Sequence, residues 1–159
     1  MMNRMTVRDA GRDEVRSIVQ MIRSMVADMA NYGGHAPTTD DAALENVAAA
    51  IVDELKGNNT KYLIAESADG NLVGLAAAKL VTLEGVFAPK KTLHISVVYV
   101  PPQFRRSGIG GALVAKLMDW GRTIGAEQCD LNVLTKNPAR SLYEKHGFEA
   151  IEVKMVCSL

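Results

Sequence analysis

The sequence has few cysteines, no excess of charge of either sign and no long apolar run. Its two cysteines, Cys129 and Cys157, are too few for a disulfide framework and lack the spacing of a zinc site, so we expect reduced thiols and no bound metal. Eighteen basic side chains balance eighteen acidic ones, whereas a protein held on nucleic acid by phosphate contacts normally has a basic excess. These absences argue against a disulfide scaffold, a zinc domain and a nucleic-acid binder.

Signals for membranes and export are also missing. The longest uncharged apolar stretch, residues 72–78, is far shorter than the roughly 20 residues that cross a bilayer. Charged residues occur at the start of the chain, where a signal peptide needs an apolar run. We therefore expect a soluble cytoplasmic protein with no membrane partner. The length of 159 residues, of which 48% are apolar and 23% charged, predicts a single domain spanning 1–159.

The spacing of apolar residues predicts the order of helices and strands. Intervals of three and four predict helices at about 13–31, 44–55, 109–125 and 137–147. Apolar and β-branched runs predict strands at about 62–65, 72–81, 93–100, 130–134 and 151–156, with one more strand before the first helix. Because hairpins alternate with crossover helices, we expect an α/β (α+β) fold with a mixed sheet covered by helices.

The segment 98–112, VYVPPQFRRSGIGGA, joins a strand to a helix through a glycine-rich turn. The first amides of a helix have no partner within it and lie at the positive end of its dipole, and glycines let a pyrophosphate approach the main chain. Arg105 and Arg106 add positive charge where a purely structural helix would favour acidic residues. The pattern predicts a phosphate-binding turn, although the glycines could alternatively serve only tight helix–strand packing.

Comparison with known phosphate-binding motifs narrows the range of possible ligands. A dinucleotide-binding turn needs a third glycine where Leu113 stands, and no P-loop Gly-Lys-Ser/Thr occurs. What remains, Arg105-x-x-Gly108-x-Gly110 after Val-x-Val-x-Pro, resembles the acyl-coenzyme A loop of the GNAT N-acetyltransferase superfamily. A second segment, NPARSLYEKHGF at 137–148, is similar to the superfamily's other motif, in which an asparagine opens a helix that carries a Leu-Tyr pair before Gly-Phe.

The resemblance implies the GNAT fold, a central mixed sheet with two splayed strands flanked by about four helices, and acetyl-CoA as cosubstrate. It implies that the main chain of the strand ending at Val100 holds the pantetheine arm and aims one N–H at the thioester oxygen, which can lower the barrier by about 3 kcal/mol. Asn137 is implied to contact the same arm, and as an N-cap before Pro138 it also has a sufficient structural role. The implied coenzyme-binding residues are Val98, Tyr99, Val100, Arg105, Arg106, Ser107, Gly108, Ile109, Gly110, Gly111, Asn137 and Tyr143.

Tyr143 and His94 are the catalytic candidates. Tyr143 is the predicted general acid, because a phenol stays protonated at pH 7 and can donate a proton to a departing thiolate. The general base is open, since Ser96 stands where many relatives carry a carboxylate. The candidates are His94 on the same strand, Glu84 in the preceding loop, and a water chain passing Ser96. Strict alternation places His94, Ser96 and Val98 on one face of the strand.

The acceptor amine is expected between the loop that follows the first helix and the loop before the central strand, where family members differ. In relatives that acetylate polyamines an acidic residue often follows the tyrosine of the first loop, and Gly33 stands there in this sequence. The predicted acceptor-binding residues are Tyr32, His35, Glu84 and Ser96.

Taken with the resemblance, these residues predict an acyltransferase that moves the acetyl group of acetyl-CoA to the primary amine of a small molecule, by direct attack in a ternary complex. A protein or peptide N-acetyltransferase and a non-catalytic acyl-CoA sensor stay open as alternatives, as does a homodimer through an exposed sheet edge. Residues 1–89 have eight basic and twelve acidic side chains, and residues 90–159 have ten and six. This asymmetry fits a cationic acceptor and an anionic coenzyme that approach from different sides.

Overall fold

A computed structural model describes residues 5–159. The strands are β1 (Thr6–Asp9), β2 (Thr60–Glu66), β3 (Leu72–Leu83), β4 (Lys90–Tyr99) and β5 (Gln128–Leu131). The helices are α1 (Val15–Ala30), α2 (Asp41–Glu54), α3 (Ile109–Thr123) and α4 (Arg140–Lys145), with single 3₁₀ turns at Arg12–Glu14 and Pro102–Phe104. Within the described range, no helix is both long enough and apolar enough to cross a membrane.

The five strands form one sheet in the order β1-β2-β3-β4-β5. The pairs from β1 to β4 are antiparallel, and β4 and β5 are parallel. A parallel pair needs a crossover connection, which α3 provides. The predicted mixed sheet flanked by four helices is therefore confirmed.

Each face of the sheet has its own apolar core. The core under α1 and α2 includes Ile18, Ile51, Ile64, Leu75 and Val97. The core under α3 and α4 includes Leu63, Leu93, Leu113, Leu117 and Tyr143. The alanines at 76–78 of β3 serve both faces in turn, and small side chains there let helices approach the sheet from either side.

The outer strand β1 is tied to the rest of the sheet by the side chain of Arg8. Its guanidinium donates to both oxygens of Glu14, at 2.6 and 2.9 Å, and to Glu66 at 2.7 Å. Glu14 also accepts a hydrogen bond from the amide of Gly11. The hydrogen bonds from Arg8 hold the pKa of the Glu14 carboxyl below its ordinary value. This cluster closes the β1 side of the sheet with charge-assisted hydrogen bonds.

The predicted last strand, 151–156, is wrong for the single chain. Residues after Lys145 adopt no regular structure, and every residue from Glu149 to Leu159 is exposed. Strand-like alternation requires a neighbouring strand to bond with, and the tail lies against none among the described residues.

Candidate functional site

The site lies where β4 and β5 separate. β5 pairs with β4 only from Thr92 to Ile95 and ends at Leu131, whereas β4 continues to Tyr99. The second half of β4 therefore has β3 on one side and, within residues 5–159, no strand on the other. The turn before α3 follows β4 and the helix α4 follows β5, so the predicted coenzyme residues belong to segments that leave the sheet where these two strands separate.

A β-bulge at Ser96 divides β4 into these halves. Ile95 pairs with Ala78 and Val97 with Ala77, so that Ser96 has no residue opposite it. Before the bulge, Ile95 packs into the core under α3; after it, Val98 packs on that same side. Val97 faces the other core, under α1 and α2.

The bulge corrects the predicted alternation. His94 lies opposite Ile95, on the face of α1 and α2, so it does not share a face with Val98. The Ser96 hydroxyl is 3.4 Å from the carbonyl oxygen of Ala77, and the residue is exposed. Ser96 therefore lies at the boundary between the closed and open halves of β4.

The turn before α3 presents a row of free amides. From Arg106 to Gly111, no backbone N–H donates to another group in the described part of the chain, and the first bonded amide is that of Ala112, to Gly108. Arg106 and Gly108 both have positive φ, at 60° and 83°, which turns the chain sharply at the helix start. Consecutive amides in such a turn form an anion-binding concavity.

Glycine occurs at different positions of this turn for different structural reasons. Gly108 needs its positive φ but has open space around it, whereas a side chain at Gly110 would lie 3.0 Å from Leu142 of α4. At Gly111 an added carbon would meet only ordinary contacts, the nearest at 3.6 Å from His146. Close packing, one of the two alternatives considered for the glycines, therefore applies to Gly110, whereas Gly108 leaves the turn open to solvent.

The side chain of Arg105 is engaged away from the amide row. Its Nε donates to the carbonyl oxygen of Val100 at 2.8 Å, and its Nη2 forms an ion pair with Asp28 of α1. The guanidinium also lies 5.9 Å from the ring centre of Tyr99. In this structure Arg105 joins the end of α1 to the end of β4, and its predicted phosphate contact stays a prediction. The exposed Arg106 is the arginine that remains at the turn.

Asn137 caps the turn that precedes α4 and not α4 itself, which begins at Arg140 after Ala139 and not at Pro138 as predicted. Its side-chain oxygen accepts a hydrogen bond from the amide of Ala139 at 2.9 Å, and its carbonyl accepts from Arg140 at 3.1 Å. These bonds shape the turn that precedes α4. Contact of Asn137 with a coenzyme arm stays a prediction.

Tyr143 of α4 is 8% exposed and packs edge-on against Phe148, with ring centres 6.0 Å apart. Burial raises its pKa above the ordinary tyrosine value, so the phenol stays protonated through neutral pH. The hydroxyl makes no hydrogen bond to the described residues. Because no fully buried side-chain oxygen among these residues lacks a partner, this hydroxyl retains some contact with solvent.

His94 forms a pair that the sequence did not reveal. Its Nδ1 lies 2.7 Å from Oδ1 of Asp130 on β5, across the closed part of the β4–β5 pair. The imidazole is one-third exposed, and the carboxylate fixes its orientation so that Nε2 is directed away from Asp130. Asp130 and Asp28 are the residues that sequence reasoning missed, because their partners lie 36 and 77 positions away.

The first acceptor loop follows a glycine cap at the end of α1. The amide of Gly34 donates to Met29 and that of Gly33 to Ala30, with φ of 91° at Gly33, which is a Schellman arrangement. An acidic side chain at 33 would be strained, which explains the glycine there. The Arg105–Asp28 ion pair ties the last turns of α1, which precede half-buried Tyr32 and exposed His35, to the segment after β4.

Glu84 is separated from the site. It follows Leu83, which pairs with Lys90 at the far end of the β3–β4 hairpin. Because a strand advances about 3.3 Å per residue, the main chain there lies roughly 25 Å from Val98. The prediction that Glu84 contributes a base or acceptor contact is therefore wrong for this chain.

An open cavity of about 610 Å³ lies on the other side of the end of β4. It is lined by α1 and by the turn after β4, including Arg16, Met21, Tyr99, Pro101 and Gln103. The cavity shares only the Tyr99 position with the predicted coenzyme residues. Within residues 5–159, no group of three or more His, Cys, Asp or Glu side chains is arranged to hold a metal ion.

Comparison with known proteins identifies the family. The chain matches the model of the acetyltransferase (GNAT) family over residues 26–148, so it belongs to this family and is an acyltransferase enzyme. The resemblance inferred from the two motifs is confirmed. The family uses acetyl-CoA as cosubstrate. A search of curated protein sequences found no significant match.

Solved structures share the fold at low sequence identity. A predicted acetyltransferase from Clostridium acetobutylicum, solved with acetyl-CoA, has a TM-score of 0.78 at 19% identity, covering 98% of this chain and 96% of the other. Glucosamine-6-phosphate N-acetyltransferase from Arabidopsis thaliana has a TM-score of 0.75 at 16% identity, with 98% of each chain covered. AAC(6')-Iy, in complex with the bisubstrate analogue CoA-S-monomethyl-acetylneamine, has a TM-score of 0.75 at 19% identity, with 98% of each chain covered.

Proposed function

We propose that this enzyme transfers the acetyl group of acetyl-CoA to the primary amine of a small molecule, by direct attack in a ternary complex. The observation that carries the proposal is the convergence of three features on one cleft: the open half of β4, the free amides from Arg106 to Gly111, and the solvent-reaching hydroxyl of buried Tyr143. The amides suit a pyrophosphate, and the unpaired main chain of β4 suits an amide-bearing arm.

In the proposed reaction the amine lone pair attacks the thioester carbon, and the carbon–sulfur bond breaks. Tyr143 donates its proton to the departing thiolate, which is a stronger base than a carboxylate and needs a donor that is still protonated at pH 7. The nitrogen loses one proton as the amide forms, and a proton returned through solvent restores the phenol. A main-chain N–H of the segment 98–100 stabilises the oxyanion. Cys129 is not suited to form an acyl-enzyme, because burial raises the pKa of its thiol to about 11.

The proton of the amine passes to the His94–Asp130 pair. An alkyl ammonium with an ordinary pKa near 10.4 is deprotonated only about once in 2,500 molecules at pH 7, so a route for this proton is needed. His94 is four positions before Val98, about 10–13 Å along β4, so the route runs through water past Ser96. Because His94 faces the side of α1 and α2, it faces the same side as the loop that joins these helices.

The test is release of free thiol from acetyl-CoA in the presence of polyamines, amino acids, aminoglycosides or peptides, with CoA binding measured in parallel by calorimetry. Turnover on one class of small amine is the expected result. Turnover on peptides alone would replace the small acceptor by a peptide, and tight CoA binding without any turnover would identify an acyl-CoA sensor. Absence of CoA binding would refute the assignment of the amide row.

A further inference from the structure

The helices α1 and α2 cover only part of their face of the sheet. Tyr62 of β2 and Val97 of β4 are buried beneath these helices. Toward the β3–β4 hairpin, on the same face, Lys79 of β3 is exposed, and the side chains of His94 and Asp130 are 34% and 52% exposed. A substrate can therefore reach the sheet at this level without displacing a helix.

Three side chains at this level lie side by side across neighbouring strands. Lys79 of β3 pairs with His94 of β4, and His94 pairs with Asp130 of β5. Directly paired residues of antiparallel strands point to the same face, with Cβ atoms about 4.5–5.5 Å apart. Since Nδ1 of His94 lies 2.7 Å from Oδ1 of Asp130, the imidazole has a carboxylate on one side and the residue that carries an ammonium on the other.

The ammonium of Lys79 has no partner in the described part of the chain. Its side chain forms no ion pair and no hydrogen bond there. Asp130 is two strands away, roughly 10 Å, and its carboxylate already engages His94. An unpaired cation beside the proposed proton acceptor attracts an anionic group of a substrate and repels a second positive charge.

The neighbouring part of this face adds apolar surface and a second cation. Val81 and Leu83 follow Lys79 on the same side of β3, with exposed fractions of 43% and 45%. Lys90, which is exposed, lies opposite Leu83. β3 and β4 contain no acidic residue. The surface that these two strands present to an acceptor is therefore cationic and apolar.

The spacing along the strands sets the size of the acceptor. Ala76 pairs with Val98, and Lys79 lies three residues further along β3. Three residues of a strand span about 10 Å, and the flexible four-carbon stem of lysine lets its ammonium come closer to the reacting amine. An anionic group on Lys79 is therefore several bonds away from an amine that reacts beside the segment 98–100.

We propose that Lys79 binds an anionic group of the acceptor, so that the enzyme prefers amines that carry a carboxylate or a phosphate several bonds from the reacting nitrogen. This inference rests on the proposed acetyl transfer and names the class of acceptor within it. In a polyamine a second ammonium would meet the charge of Lys79, so polyamines are poor acceptors. Carboxylate and phosphate share the chemistry that pairs with an ammonium, and the test includes both.

The first test compares amines that differ only in the anion, by thiol release at saturating acetyl-CoA. The pairs are 5-aminopentanoate with pentylamine and phosphoethanolamine with ethanolamine, and spermidine represents the polyamines. In at least one pair, kcat/KM should be about tenfold higher for the anionic member, which identifies the preferred anion. Equal values in both pairs, or turnover confined to amines without an anion, would overturn the inference and leave the proposed acetyl transfer intact. No turnover on any amine would refute the proposed function and the inference with it.

The second test removes the charge on one face of the sheet or on the other. Lys79→Gln should raise KM for the anionic member of the preferred pair and bring the ratio of kcat/KM within that pair close to one. Lys79→Arg should restore most of the ratio, because a guanidinium also pairs with carboxylate and phosphate. Lys91→Gln removes the same charge from the opposite face, since Lys91 pairs with Thr82, and should keep the wild-type ratio. A ratio unchanged in Lys79→Gln, or lowered equally by Lys91→Gln, would overturn the assignment of Lys79.

Discussion

The two halves of β4 have similar sequences and different surroundings. Each contains two β-branched residues, yet Thr92–Ile95 is paired on two sides and Val97–Tyr99 on one. The closed half holds side chains in fixed pairs, as His94 with Asp130, whereas the open half offers main-chain groups to a ligand. The early end of β5 and the bulge at Ser96 create this difference, so the proposed site lies at a boundary set by a neighbouring strand.

The largest expected effect comes from the hydroxyl beside the open half. Tyr143→Phe should lower kcat by 10²-fold or more, because the thiolate loses its proton donor, while the dissociation constant of CoA stays nearly unchanged. Kinetics on the acceptor found in the panel, together with calorimetry, measure the two quantities. The matched control is Tyr62→Phe, which removes a buried hydroxyl on the opposite face that bonds Glu54 at 2.6 Å.

Tyr62→Phe should cost about 1 kcal/mol of stability, through the lost hydrogen bond, and leave kcat unchanged. If both variants lowered kcat equally, the effect of Tyr143 would be one of packing. An unaltered kcat in Tyr143→Phe would remove the residue from the mechanism.

The second-largest effect on kcat is expected from the closed half of β4. His94→Gln and Asp130→Asn should each lower kcat about 10-fold at pH 7, and most of the loss should be recovered near pH 10. The physical reason is that the acceptor amine loses its proton to solvent at high pH and no longer needs the pair. Rates from pH 6 to 10 with both variants and the wild type provide the measurement. A loss that is constant with pH would indicate that the pair only stabilises the β4–β5 junction.

The sequence predicted the open half of the site better than the closed half. The turn before α3 and the helix that carries Tyr143 were predicted from local signals, namely glycines after a Pro stop and an Asn-Pro pair, and both elements are present, although α4 begins at Arg140. The partners Asp28 and Asp130 come from distant parts of the chain, and no spacing reveals them.

Two other errors share one cause. Alternation was predicted to continue through Ser96, and a strand was predicted for residues 151–156, because side-chain patterns describe faces but not partners. Whether a strand has a bulge or a neighbour depends on what pairs with it, and that information lies elsewhere in the chain. Glu84 was misplaced for a related reason, since the length of the β3–β4 hairpin was not evident from its loop sequence.

A substitution at Gly108 should disturb the row of amides, whereas a substitution at Gly111 should leave it intact. Gly108→Ala should destabilise the fold by about 1–2 kcal/mol and weaken CoA binding, because alanine is strained at a φ of 83°. Gly111→Ala meets only ordinary contacts and should retain both properties. Thermal unfolding and calorimetry measure the effects, and Gly108→Asn should restore part of the loss, since asparagine tolerates positive φ. Equal effects at the two positions would argue that the turn geometry is unimportant for binding.

The two adjacent arginines provide a smaller contrast. Arg106→Gln should weaken CoA binding about fivefold at low salt, because one exposed charge at the turn is lost, and the effect should shrink as salt rises. Arg105→Gln should change CoA affinity less, since Asp28 and Val100 already engage that side chain. Calorimetric titrations at two salt concentrations separate the cases. A larger loss of CoA affinity with Arg105→Gln than with Arg106→Gln would assign the phosphate contact to Arg105.

The smallest effect concerns the edge of the sheet that is farthest from β5 in strand order. Glu14→Gln should lower stability at pH 7 by about 1 kcal/mol, a modest value because Arg8 is 38% exposed and solvent screens the pair. The folded pKa of Glu14 is lowered, so its stabilisation is present above the unfolded pKa of about 4.3 and is lost as the pH falls through the folded value. Denaturant unfolding should therefore show wild type and variant converging at acidic pH, while Glu45→Gln, an exposed change on α2, matches the wild type throughout. A difference that persists unchanged below the folded pKa would mean that Glu14 acts through shape and not through charge.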